Sequence, residues 1–138
     1  MERLVVVGVV VALAVVVALV LQRRGRGGVE TAGWAVPERL RREDFGGPQA
    51  PWLVVVFTER TCRTCAAAVD AARAVEADDV VVEEVELAAA PALHDRYGID
   101  AVPTLVIADA GGAVRASFVG PPTAADLASA LTDLRNPG

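Results

Sequence analysis

Hydrophobic positions along this chain fall into one long unbroken block followed by several shorter, patterned ones. The block comes first. Leu4 to Leu21 reads LVVVGVVVALAVVVALVL, 18 residues with no charge, proline or polar side chain. As a helix rising about 1.5 Å per residue it reaches about 27 Å, close to the hydrocarbon thickness of a bilayer. A continuous helix also satisfies its own backbone hydrogen bonds, as that medium requires. A cleaved signal peptide usually has a shorter apolar run that ends at small residues, whereas this run ends in Leu-Gln-Arg-Arg. A core helix of a small domain is rarely apolar all round over such a length. The pattern therefore predicts a single membrane-spanning anchor over residues 4–21.

Beyond the block, Gln22 to Gly33 is rich in Gly and Arg without periodicity, which predicts a flexible linker. Trp34 to Asp44 (WAVPERLRRED) suits a short helix with Pro37 in its first turn, ended by Phe45-Gly46-Gly47-Pro48. Trp52 to Phe57 (WLVVVF) is a continuous β-branched and aromatic run, the mark of a strand buried on both faces. A polar turn, Thr58 to Thr61, leads into a helix predicted from Cys62 to Ala77, with Cys65, Val69, Ala72 and Val75 at helical spacing. Val80 to Leu87 is a second strand, and Ala90 to Tyr97 a short helix stopped by Gly98. Thr104 to Ala108 and Val114 to Val119 are two more strands, joined by a tight turn at Gly111-Gly112. Thr123 caps a last helix that gathers Leu127, Ala130, Leu131 and Leu134 on one face, with Asp126 in its first turn.

The order β-α-β-α-β-β-α implies an α/β fold. A helical crossover makes the first two strands parallel, and the glycine turn makes the last two antiparallel. The chain thus divides into an anchor and Arg/Gly linker (1–28), a juxtamembrane segment (29–50) and a domain of mixed four-stranded sheet flanked by helices (51–138).

Charge narrows the function. Residues 29–138 carry nine arginines and no lysine against seventeen carboxylates, a net charge of −8. Such a domain has no electrostatic footprint for nucleic acid and is repelled by anionic lipid. Arg23, Arg24 and Arg26 behind the apolar block can still pair with lipid head groups. They outnumber Arg3 in front of it, so the positive-inside bias favours a single-pass cell-membrane protein with its domain on the cytoplasmic side. Three arginines make a small bias, and the opposite placement stays open. A monomer is expected.

Cys62 and Cys65 are the only cysteines, spaced C-x-x-C between a buried strand and a helix. Three residues apart on a helix, both sulfurs share one face and can bridge after small adjustments. Unpaired N–H groups and the positive end of the helix dipole, worth about 0.3–2 kcal/mol, favour thiolate at the first cysteine. Arg63 adds a fixed cation beside it. These features make Cys62 the nucleophile and Cys65 the resolving thiol. A purely structural bridge closing so short a loop would remove little chain entropy. Metal binding asks for about four ligands, and the only other soft donor is His94, expected on a helix surface. No metal or cofactor is therefore expected.

The strand, the C-x-x-C at a helix start and the distant segment HDRYGIDAVPTL (His94 to Leu105) together resemble the thioredoxin family. The likeness covers roughly Pro51 to Arg135 and is far more specific than C-x-x-C alone. It implies a thioredoxin-like fold, a cis peptide before Pro103, and a substrate-binding strip at Val102, Pro103 and Thr104. It also implies thiol–disulfide exchange with a protein partner. Several positions depart from the family pattern. Arg63-Thr64 stands where thioredoxins have Gly-Pro, Thr61 replaces the Trp before the first cysteine, and Val56 occupies the place of a buried proton-accepting Asp. Glu59 is the one nearby carboxylate. The departures admit two other readings, a non-catalytic binding module and a thiol chaperone in cytochrome or metal-site maturation.

Overall fold

A computed structural model describes residues 1–24 and 34–138, so most of the linker read from the sequence lies outside the described residues. Helix α1 (Glu2–Arg24) extends the apolar block at both ends. Among the described residues it is the one helix long and apolar enough to cross a membrane.

Strands β1 (Trp52–Thr58), β2 (Val80–Glu86), β3 (Thr104–Asp109) and β4 (Val114–Val119) form one sheet in the order β2-β1-β3-β4. β1 runs parallel to β2, from Trp52 opposite Val80 to Thr58 opposite Glu86. It runs antiparallel to β3, and β3 is antiparallel to β4 with an irregularity between Ile107 and Ala108. The apolar run of β1 has a direct physical reason. Successive side chains of a strand point to opposite faces, and both faces of β1 are covered. Val54 and Val56 join Ala68, Ala72, Leu127 and Leu131 on one side; Leu53, Val55 and Phe57 join Leu40, Phe45, Val106 and Tyr97 on the other.

The helices are α2 (Cys65–Arg73), α3 (Pro91–Arg96) and α4 (Ala124–Arg135). At the start of α4, Thr123 and Asp126 exchange side-chain–backbone hydrogen bonds of 3.1 and 2.9 Å, a complete capping box. At its end Arg135 grips Asp79 through two bonds of 2.8 and 2.9 Å, tying α4 to the turn before β2.

Three local expectations are corrected. Residues 34–44 do not form a helix. They run extended to a single 3-10 turn, Arg42–Asp44, and form a bridge between Arg39 and Ala113. Leu40 N–H donates to Gly112 O at 2.7 Å, and Val114 N–H donates to Glu38 O at 3.0 Å. A short isolated helix is marginal in water, whereas here the edge of the hairpin satisfies the backbone and the core takes up Leu40 and Phe45. Arg42 is buried and bolts this strap down, donating to the carbonyls of Gly47, Ala50 and Asp109 at 2.8–3.0 Å.

The helix expected over Cys62 to Ala77 is shorter at both ends. Residues 60–64 form a turn, so Cys62 precedes α2. At the other end Val75 and Glu76 bond to carbonyls three residues back, tightening the chain into the bridge between Ala77 and Val80.

His94, expected on a helix surface, is buried instead. Its Nε2 lies 2.9 Å from Val85 O and its ring stands edge-on to Phe57, with centroids 5.4 Å apart. α3 turns this face inward because Tyr97 belongs to the core and Leu93 packs against it.

Candidate active site at the Cys62–Cys65 disulfide

β1 ends at Thr58 and the chain turns through Glu59 to Thr64 before α2 begins at Cys65. Cys62 N–H donates to Glu59 O at 3.1 Å, which closes this turn and directs Cys62 back toward the helix start. Cys62 and Cys65 are joined as a disulfide, with their Cα atoms 5.5 Å apart. They differ in burial. Cys65 is 5 % exposed within the first helical turn, and Cys62 is partly exposed in the turn before it. The Cys62 sulfur lies 3.8 Å from Thr64 Oγ1.

The bond places both sulfurs at the N-terminal end of α2. The backbone N–H groups of a first helical turn have no intrahelical acceptor, and the helix dipole is positive there. Thr64, the N-cap residue, makes no side-chain hydrogen bond to those N–H groups. The dithiol site thus faces unsatisfied backbone donors and the positive end of the helix dipole.

Val102, Pro103 and Thr104 occupy the same end of the sheet. Phe57, one residue before β1 ends, pairs with Thr104 at the start of β3. The chain therefore delivers Cys62 and Pro103 to one rim from antiparallel neighbours. The Val102–Pro103 peptide is cis. Pro103 O accepts from Gly120 N–H at 2.9 Å, and Thr104 Oγ1 donates to Ala101 O at 2.7 Å, so the segment is held from both sides. Val102 is partly exposed, whereas Pro103 and Thr104 are buried. Gly120, which ends the strand before the last helix, has a φ of +95°, in the region that glycine alone enters readily.

The point of β1 where a buried carboxylate would stand is filled by Val56, which is fully buried. Glu59 accepts a 3.0 Å bond from Thr61 Oγ1 at the surface. Arg63 is exposed and makes no side-chain hydrogen bond or ion pair among the described residues. Beside the site, a cleft of about 570 Å³ is lined by Asp44, Arg60, Glu83, Glu84 and Glu86, among others. The Glu86 carboxylate is held below its usual range chiefly by Ala88 N–H, with burial opposing and Ala89 N–H and the Arg60 charge assisting. No group of three or more His, Cys, Asp or Glu side chains among the described residues is placed to hold a metal.

A parallel strand pair, two antiparallel additions, flanking helices and a disulfide where the first strand enters a helix define a thioredoxin fold with its dithiol site. The thioredoxin family model matches residues 48–133, most of the chain, and the chain belongs to that family. Solved structures agree on the fold. A thioredoxin of Malassezia sympodialis superposes with a TM-score of 0.51 at 22 % identity, covering 60 % of this chain and 74 % of that one. A thioredoxin-2 described as a component of the malaria parasite's protein secretion machinery gives 0.54 at 15 % identity, covering 60 % and 82 %. A thioredoxin variant from Halobacterium salinarum gives 0.52 at 25 % identity, covering 63 % and 74 %. No curated protein matches the chain in sequence.

Proposed function

We propose that the protein is a membrane-tethered thiol–disulfide oxidoreductase that exchanges disulfides with a protein partner and works as a monomer without cofactor or metal. The observation that carries this reading is the asymmetry of the bonded pair, Cys62 partly exposed and Cys65 buried at the start of α2. In the reduced protein the Cys62 thiolate attacks one sulfur of the partner's disulfide. An S–S bond forms between the two chains, and the partner's second sulfur leaves as a thiolate. Cys65, deprotonated, then attacks the Cys62 sulfur and releases the partner's first sulfur. Two electrons have passed to the partner, its two thiolates take up protons, and the Cys62–Cys65 bond is restored. Each step is reversible.

In this reading Val102, Pro103 and Thr104 hold the partner chain by strand-like backbone pairing beside the disulfide. Arg63 supports the thiolate by its charge. Residues 4–21 fix the domain to the cell membrane, with the arginines at 23, 24 and 26 favouring the cytoplasmic side. A tag at residue 138 that is shielded from protease in intact cells supports that placement. An exposed tag instead favours the reading as a chaperone of metal-site maturation.

The exchange reading is tested with Cys65→Ala in cells. Without the resolving thiol, Cys62 should accumulate as a mixed disulfide with one or a few partners in the membrane fraction, released by reductant and absent from Cys62→Ser. Intact mass of the extracted protein should retain residues 1–28; a mass lacking them assigns the apolar block to a cleaved leader. If no Cys62-linked species forms and the pair shows no reversible redox couple, the domain is a binding module and the exchange chemistry is abandoned.

A further inference from the structure

The charges around Cys62 bear on which partner the exchange reaction accepts. Residues 29–138 contain nine arginines. Five are ion-paired at 3.4 Å or less, and Arg39 and Arg42 donate to backbone carbonyls. The remaining two are Arg60 and Arg63, exposed and without an ion pair or side-chain hydrogen bond among the described residues. They flank Cys62, two residues before it and one after. In a domain of net charge −8, the two guanidinium groups without an ion pair thus both belong to residues beside the partly exposed Cys62, and Arg60 also lines the acidic cleft.

The neighbouring carboxylates take their hydrogen bonds from other donors, although the Arg60 charge also acts on Glu86. Asp44 is taken by Arg96 and Tyr97, and Glu83 by Gly46 N–H. Glu84 accepts from Thr58, and Glu86 from the N–H groups of Ala88 and Ala89. A guanidinium offers a fork of donors matched to a carboxylate, and among the described residues neither Arg60 nor Arg63 is bonded to one.

We propose that Arg60 and Arg63 are specificity-determining residues that select partners carrying Asp or Glu beside the target disulfide. The proposal rests on the exchange reading. A partner segment laid extended across Cys62 advances about 3.3 Å per residue, so side chains one or two residues from the attacked sulfur come within reach of both arginines. The acidic remainder of the domain opposes an acidic partner at a distance. That repulsion is screened beyond about 8 Å at physiological salt, while contact pairs survive.

The test uses the full chain, reduced, in neutral detergent at physiological ionic strength. Three peptides share one intramolecular disulfide and differ only in carrying Asp, Ser or Arg beside it. Each exchange rate is divided by that peptide's rate with dithiothreitol, which removes the peptide's own reactivity. It is then divided by the Ser-peptide value for the same protein, which cancels any change in the Cys62 thiolate. The Asp peptide should react about tenfold faster than the Arg peptide, equivalent to about 1.4 kcal/mol and within reach of two exposed arginine–carboxylate pairs.

Arg60→Gln with Arg63→Gln should bring that ratio below about twofold, and Arg60→Lys with Arg63→Lys should keep most of it. Equal Asp and Arg rates, or a preference that survives the double Gln change, overturn the proposal and leave the exchange reading standing. No exchange with any of the three peptides overturns both.

Discussion

Tyr97 joins the strap before β1 to the body of the domain through a single oxygen, and its removal has a calculable cost. The hydroxyl donates to Asp44 Oδ2 at 2.6 Å and accepts from Arg41 N–H at 3.0 Å. Tyr97→Phe deletes both bonds and keeps the ring, whose contacts with Phe45 and Phe57 have centroid distances of 5.9 and 6.2 Å. A hydrogen bond to a charged group contributes about 1.5–3 kcal/mol and a neutral one about 0.5–1.5 kcal/mol. Asp44 keeps Arg96 at 2.7 Å and some access to water, which offsets part of the loss. The expected cost is about 2 kcal/mol. For a domain of about 100 residues this lowers Tm by about 10 °C.

The cost also depends on pH in a defined sense. Arg96 first, and then the Tyr97 hydroxyl, hold Asp44 below the usual carboxylate range, against the effect of burial. A depressed carboxylate adds stability that is complete above its unfolded value near 4, and loses it as pH falls through the lower folded value. Burial, with Asp44 assisting, raises Tyr97. A raised phenol adds stability that is complete below about pH 10 and is lost as pH rises through the folded value. The difference between wild type and Tyr97→Phe should therefore be flat from about pH 5 to 9 and shrink on both sides. Urea unfolding of the full chain in detergent, followed by near-UV circular dichroism, measures it. A loss under about 0.5 kcal/mol at pH 7, or one that persists undiminished in acid, refutes the assignment of Tyr97 as the strap's anchor.

Two further changes test the local architecture. Thr123→Ala removes one half of the capping box of α4 and should cost about 1 kcal/mol, read as a Tm lower by about 5 °C; an unchanged Tm means the cap adds nothing. Gly112→Ala should cost more than about 1 kcal/mol, because φ is +85° there and a Cβ would run into the Leu40 carbonyl. Hydrogen exchange should then show lost protection at the Leu40 and Val114 amides, and full protection would mean the strap does not depend on Gly112.

Much of the domain was legible in the residues because its elements announce themselves over short windows. β1 was a buried run, β4 matched residue for residue from Val114 to Val119, and Thr123 with Asp126 marked the start of α4. The disulfide followed from two cysteines at a strand-to-helix junction. The misreadings share a cause. WAVPERLRRED has the composition of a helix start, yet its preference was decided by partners more than 50 residues away, Gly112 for Leu40, Asp109 for Arg42 and Tyr97 for Arg41 and Asp44. His94 looked like a polar residue on a short helix, and no local pattern could reveal that Val85 O and Phe57 would receive it.

Sequence alone determined the apolar block, the order of strands and helices, the family likeness and the identity of the bonded cysteine pair. Each of these depends on periodicity or spacing within a few residues, which the chain carries in any conformation. Only tertiary structure decided that Cys65 is covered while Cys62 is partly open, that Pro103 comes to the rim where β1 delivers Cys62, and that Arg60 and Arg63 have no ion pair among the described residues. Burial and pairing are properties of surfaces brought together from distant parts of the chain, and no residue carries them by itself.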